Sequence, residues 1–255
     1  MLIVTEGNRR TLSGYTQEHP PPGRSTSQRE AKCTCFILAK NAGKTIRRCL
    51  DSALKADCFK KILVILDTRS SDTTSSIVRG YSLTYPTVRV FNYKWTDPPD
   101  FAAARNFALS KIQTAYGLWL DADEWISDPE CLMELLSKPG PAYLIVIKSP
   151  LGNGATCDMM QPRLFPLRPG LAFECPVFER LDWSLVRAGV RLKPTDCEPI
   201  SHDGYSDNSV LRQKNRRNLQ ILKAWLRKKG RSWFREFVPE TDQDKHLMEQ
   251  YRKLI

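Results

Sequence analysis

The sequence predicts an α/β protein in which helices cover a mostly parallel central sheet. Three observations carry this. From Cys33 onward, short β-leaning apolar runs alternate with stretches of helical spacing. Strands that alternate with helices of about 10 to 15 residues build parallel, helix-covered sheets. Three of the runs stop at Asn41, Asp67 and Asp121, and ligands in such sheets sit at the carboxyl ends of strands. The chain of 255 residues is 41% hydrophobic and 26% charged. That suits one large globular domain or one domain with a small appendage.

The elements follow in order. Residues 1–31 are polar and rich in Pro, Ser, Thr and Gly, with Pro20-Pro21-Pro22-Gly23 in the middle. They cannot bury enough apolar area to fold alone and read as a flexible arm. They contain no apolar core of a secretory signal. Cys33 to Lys40 is the first strand, and Lys44 to Ala56 is a helix with Ile46, Cys49, Leu50, Ala53 and Leu54 on one side. Lys61 to Asp67 is the second strand. Asp72 is placed to cap the next helix, which carries Ile77, Val78 and Tyr81. Val88 to Tyr93 is the third strand, and Asp100 is placed to cap a helix over Phe101 to Lys111. Tyr116 to Leu120 is the fourth strand and runs into Asp121. A helix follows Asp128-Pro129, then a strand at Tyr143 to Ile147. Seven prolines between Pro150 and Pro199 give a different texture, suited to a substrate-facing region. A long helix runs from Ser209 to Lys229.

No apolar run approaches the roughly 18 residues of a membrane span. The eight cysteines are scattered without a C-x-x-C pair, which argues against a zinc site. They read as buried small hydrophobes of a reducing compartment. The net charge of +11 is local in origin. Between Asn208 and Arg235 lie ten basic residues and no acidic one, and the remaining 29 basic and 28 acidic residues nearly cancel. That segment is expected to meet an anionic partner and to take no part in donor chemistry, with a plain solvated face as the other reading.

The strongest chemical signal is Leu118-Trp119-Leu120-Asp121-Ala122-Asp123-Glu124, an apolar strand that enters three acidic residues. Such a cluster is costly unless a cation occupies it. Hard divalent ions take carboxylate oxygens and leave positions for substrate phosphates. Asp67-Thr68-Arg69-Ser70-Ser71-Asp72 also follows a strand and offers a carboxylate and hydroxyls suited to a base and ribose. Asp100-Phe101-Ala102-Ala103-Ala104-Arg105-Asn106 opens a helix with three small residues that allow close backbone approach. Capped turns and surface helix residues are the plainer readings of the last two.

Phe36 to Asn41, Leu66 to Asp72, Asp100 to Leu109 and Leu118 to Glu124 resemble family 2 glycosyltransferases. The branch they resemble contains the lipopolysaccharide-core glucosyltransferase-like proteins. The likeness continues through Pro162-Arg163-Leu164-Phe165, Phe173-Glu174, Val177-Phe178-Glu179, His202-Asp203-Gly204-Tyr205 and Lys214 with Arg217-Asn218-Leu219. It implies a GT-A fold, with a catalytic domain over residues 32–205. Residues 32–127 would form its nucleotide-binding half and 128–205 its acceptor-facing half, with a basic helical segment over 206–255. It also implies an inverting transfer of a hexose from a nucleoside-diphosphate sugar, UDP sugars leading, with Mn²⁺ or Mg²⁺. Asp67 would contact the nucleobase, Asp121 the ribose or metal, and Asp123 the metal, with His202 near the metal or pyrophosphate. Asn41, Arg105 and Arg163 complete the implied donor contacts. Glu179 matches the general base, with Glu174 as second choice. Ala42, Arg69, Thr73 and Phe178 depart from the family pattern, which usually has Glu, Gly, Gly and His there; they bear on the donor sugar and the acceptor.

Two other readings share the sheet. A nucleotidyltransferase should show a Gly-rich phosphate loop after the first strand, where Ala39-Lys40-Asn41-Ala42-Gly43-Lys44 has one glycine. A non-catalytic nucleotide-sugar-binding protein should lose Asp123 or Glu179, and both are present. The acceptor stays open between an envelope glycan (lipopolysaccharide or lipid-linked) and a hydroxymethylated base in DNA. The expected place is the cytoplasm, with a peripheral contact at the inner membrane face as one option.

Overall fold

The computed structural model describes residues 33–150, 156–202 and 208–229. The arm expected over residues 1–31 lies outside these, as do Asp203-Gly204-Tyr205 and the residues after 229. Strands β1 (Cys33–Ala39), β2 (Phe59–Asp67), β3 (Val88–Tyr93) and β4 (Tyr116–Asp121) are linked by helices α1 (Ile46–Lys55), α2 (Thr74–Thr84) and α3 (Phe101–Leu109). These strands pair in parallel in the order β3-β2-β1-β4. There follow β5 (Glu124–Ile126), α4 (Pro129–Ser137), β6 (Ala142–Pro150), β7 (Thr156–Pro166), α5 (Asp182–Arg187), β8 (Leu192–Pro194), β9 (Ile200–His202) and α6 (Asn208–Lys229). The main sheet extends as β3-β2-β1-β4-β7-β6-β8, with β7 antiparallel to both neighbours and β8 parallel to β6. β5 and β9 form a separate antiparallel pair. This is the expected α/β class.

The alternation along β1 explains the layering. Cys33, Cys35, Ile37 and Ala39 pack with Ile46, Cys49 and Leu50 of α1 and Leu132 of α4. Phe36 and Leu38 face the other side, against Ala104 and Ala108 of α3 and Phe173. A strand buried on both faces reads as a continuous apolar run, as this one does. The alanines of α3 let that helix lie close to the sheet. Asp100 caps it by accepting from the Ala103 amide at 2.8 Å, and Asp128 caps α4 through Cys131 at 2.9 Å.

Several details differ from expectation. Thr73, not Asp72, holds the cap position of α2. Asp72 instead accepts from the Thr74 amide at 3.0 Å and the Gly43 amide at 2.8 Å, tying two loops together. A Cβ at Gly43 would crowd the Thr73 hydroxyl and the Asp72 carboxylate, so this close approach favours glycine. The proline-rich stretch contains an eleven-residue strand, β7. The pairing of β6 with β7 steps from Tyr143↔Leu164 to Leu144↔Pro162 and leaves Arg163 as the extra residue of a bulge. Pro162 sits at that irregularity, where a missing amide is tolerated. The cysteine reading also needs correction. Cys33, Cys35, Cys49, Cys58 and Cys175 are buried thiols, but Cys131 and Cys197 form a disulfide with a Cα–Cα distance of 6.4 Å. The pair is 66 residues apart in sequence, so spacing could not announce it. Among the described residues no helix is long and apolar enough to cross a membrane.

Candidate active site

β1 has β2 on one side and β4 on the other, so consecutive crossovers part at its carboxyl end. That switch point opens a crevice for ligands. Leu38 is level with Asp121, and Ala39 with Leu66, so Asn41, Asp67 and Asp121 converge at one edge.

At the β2 end the Asp67 side chain is fully buried. It accepts from the Arg69 amide at 3.0 Å and the Arg69 Nε at 3.3 Å, and pairs with Lys40 Nζ at 3.1 Å. Burial alone would raise its pKa, but these donors outweigh it and hold the carboxyl below its ordinary range. Lys40 also lies 5.7 Å over the Trp95 ring. Asn41 adopts a left-handed backbone with φ 48°. Its Oδ1 accepts from the Ser71 amide at 2.9 Å, which fixes the loop after β1 to the loop after β2. Lys40 and Trp95 belong to this site although the sequence reading singled out neither.

At the β4 end each carboxylate has a cation of the chain itself. Arg105 is buried on α3, its guanidinium 3.8 Å over the Trp119 ring. Its Nη2 donates to Asp121 Oδ1 at 2.8 Å and its Nε to Glu179 Oε1 at 3.4 Å. Glu124 is gripped in two places by Arg163, at 2.6 and 2.8 Å. Asp123 Oδ2 lies 3.3 Å from His202 Nε2 and 3.3 Å from Lys214 Nζ. The repulsion that seemed to demand a bound ion is therefore already offset. Burial raises the Asp123 pKa, yet His202 and Lys214 overcome this and hold it far below the carboxylate range. Burial lifts Glu179 above its ordinary value, and Arg105 only partly opposes this.

Arg163 is 1% exposed. Besides Glu124 it donates to Gln161 at 2.8 Å, and its guanidinium lies 3.5 Å over Trp119. This side chain is thus packed behind the strand end, between Glu124, Gln161 and Trp119.

Among the described residues no three His, Cys, Asp or Glu side chains converge as a ready cage. The donor set still suits a hard or borderline divalent ion. Pairing of β5 with β9 sets His202 opposite Glu124 and brings its Nε2 to Asp123. The other ring nitrogen, Nδ1, is held at 2.9 Å by the Ser149 hydroxyl. A second partner that fixes the ring is the usual support of a metal-binding histidine.

Glu179 hangs on a short hairpin closed by the Glu174↔Arg180 bridge. Cys175 and Phe178 take left-handed backbone there, with φ 65° and 57°. Bulky residues in that region are strained, and surrounding structure must hold them. Asn106 does so by clamping both backbone groups of Phe173, at 2.9 and 2.7 Å, and the Phe101 amide donates to the Pro176 carbonyl at 2.9 Å. Glu174, the second candidate base, turns to Arg187 instead. A cavity of about 270 Å³ lies between α3, this hairpin and α6, lined by Asp100, Ala103, Asn106, Phe173, Pro176 and Trp225.

Helix α6 reaches the β4 strand end through Lys214. Ile221 and Leu222 are buried, Lys214 meets Asp123, and Arg217 lies 5.0 Å over Phe101. Arg216, Lys223, Arg227 and Lys228 are exposed.

Residues 34–156 match the sequence model of glycosyl transferase family 2. The glycosyltransferase SunS from the SPbeta prophage of Bacillus subtilis is 27% identical over 240 residues, 87% of this chain and 53% of that protein. A TPR repeat-containing protein of Synechococcus elongatus is 29% identical over 205 residues, 77% of this chain and 48% of that protein. The chain therefore spans about half the length of the curated relatives it matches. Two solved structures share the fold. TarS of S. aureus (residues 1–349) has a TM-score of 0.54 at 17% identity, covering 75% of this chain and 65% of that one. The mannosyltransferase PcManGT of Pyrobaculum calidifontis, solved with GDP-Man and Mn²⁺, has a TM-score of 0.54 at 16% identity, covering 77% and 64%.

Proposed function

We propose, from the match of residues 34–156 to the glycosyl transferase family 2 model, that the chain is a glycosyltransferase of that family and transfers a hexose from a nucleoside-diphosphate sugar to an acceptor hydroxyl with inversion. The observation that carries this reading is the double contact of Arg105. One buried guanidinium joins Asp121, at the donor edge, to Glu179, on the strained hairpin. A donor-side carboxylate and a candidate base are thereby held in fixed relation.

In this reading Asp67 receives the nucleobase, and Asp121 the ribose or the metal. Asp123 and His202 are the residues that would hold Mn²⁺ or Mg²⁺, whose contribution is to neutralise charge on the departing diphosphate. Glu179 takes the proton of the acceptor hydroxyl as its oxygen bonds to the anomeric carbon. The bond from that carbon to the diphosphate oxygen breaks, and the nucleoside diphosphate leaves with the electron pair. The raised pKa of Glu179 suits a base, because proton affinity grows with it. UDP is the donor nucleotide we favour; PcManGT, solved with GDP-Man, has the same fold.

For the acceptor we propose a polyanionic molecule, supported by the exposed Arg216, Lys223, Arg227 and Lys228 on α6. Envelope glycans and hydroxymethylated DNA both fit that chemistry, at the inner membrane face or in the cytoplasm. The test compares Glu179→Gln with Glu174→Gln in a transfer assay. Glu179→Gln should lower transfer by about 10² or more while donor binding persists. Normal transfer by Glu179→Gln with loss in Glu174→Gln would move the base to the other carboxylate.

A further inference from the structure

The acidic strand end is met by a helix that composition alone would assign to a separate task. Lys214 of α6 pairs with Asp123 from 91 positions away in sequence. It does so on Oδ2, the oxygen that His202 Nε2 also approaches at 3.3 Å. Asp123 and His202 are the residues that would hold a divalent ion, so Lys214 shares a carboxylate oxygen with that pair. The Lys214 side chain is 32% exposed, so the ammonium has a path out to water. The same helix is anchored further along by Ile221 and Leu222 and walls the cavity beside α3 with Trp225.

We infer that Lys214 is a resident cation of the donor site, seated by α6 on the carboxylate that a divalent ion would use. Seating of α6 at that point and binding of the ion are then competing events. This inference rests on the proposed donor role of Asp123. Its physical basis is simple. A divalent ion and an ammonium group cannot both sit within contact distance of one oxygen without strong mutual repulsion. An ion arriving at Asp123 and His202 must displace Lys214. The displaced ammonium lies at the donor edge, where the diphosphate brings negative charge. Metal loading would therefore be felt along α6 as far as the cavity wall at Trp225.

The test measures Mn²⁺ binding to the full chain without nucleotide, from the EPR signal of the free ion. Lys214→Gln should bind Mn²⁺ up to about fivefold more tightly than the parent, the weight of one modest ion pair. Lys214→Arg should stay near the parent. Lys223→Gln, which removes an equal charge from the exposed face, should also leave the affinity unchanged and so excludes a general field effect. An independent readout is acylation of the Lys214 amine followed by mass spectrometry. It should be slow in the parent, fast once Mn²⁺ is added, and fast throughout in Asp123→Asn. Equal Mn²⁺ affinity in parent and Lys214→Gln, with the ion lost in Asp123→Asn, overturns the competition and leaves the donor role of Asp123 standing. Unchanged affinity in Asp123→Asn overturns both.

Discussion

Arg105 holds Asp121 at 2.8 Å from the second turn of α3, and the same guanidinium reaches Glu179 at 3.4 Å. Removing it leaves two carboxylates near each other with their shared cation gone. Arg105→Ala should reduce the unfolding free energy by about 2 kcal/mol, short of the roughly 3–5 kcal/mol of a fully buried pair. The reduction is smaller because Asp121 is 41% exposed and water screens its charge. Arg105→Lys should recover part of the stability but little transfer, since one ammonium lacks the fork that meets both carboxylates. Urea unfolding and transfer rates measured on both variants check this.

The pH dependence of transfer should follow Glu179. A base works as its carboxylate, and burial raises the pKa of this one above the ordinary 4.5. Activity is thus present above the raised pKa and lost as pH falls through it. The acid limb of kcat/KM should lie higher than an exposed glutamate would give. In Arg105→Ala it should move higher still, because the one charge that favours the ionised form is gone. A limb unchanged in Arg105→Ala would separate the pH dependence from Glu179.

Arg163 and Glu124 form the most enclosed ion pair of the site, with side chains 1% and 3% exposed. Arg163→Ala should cost about 3–5 kcal/mol because a buried carboxylate loses its partner. The double variant Glu124→Gln/Arg163→Met should recover much of that loss, and a double-mutant cycle measures the coupling. Donor affinity of the folded double variant should stay near the parent's if Arg163 only supports the strand end.

Much of the fold was legible because burial writes itself into periodicity. β1 alternates between two packed faces, and Asp100 announces α3 through a capping rule that depends on neighbouring residues alone. The strand ends at Asp67 and Asp121 were legible for the same reason. What escaped reading depends on partners distant in sequence. The disulfide joins residues 66 apart, and Lys214 meets Asp123 from 91 away. The family likeness implied a donor contact for Arg163; its long-range pairing with Glu124, set up by the bulge between β6 and β7, could not be read from that motif. The prolines near it disguised β7, whose ladder simply tolerates Pro162 at that bulge.

The central claim is that the edge formed by Asn41, Asp67 and Asp121 receives a nucleoside-diphosphate sugar. The most direct measurement is calorimetric titration of nucleotide hexoses, UDP sugars first, into the full chain and into Asp67→Ala, with Mn²⁺ present. Saturable binding of at least one donor is expected, weakened about tenfold or more in Asp67→Ala. The chemical rate at saturating donor should change far less, since a nucleobase contact is made equally in ground and transition states. Binding of no nucleotide sugar, or parental affinity in Asp67→Ala, would contradict it.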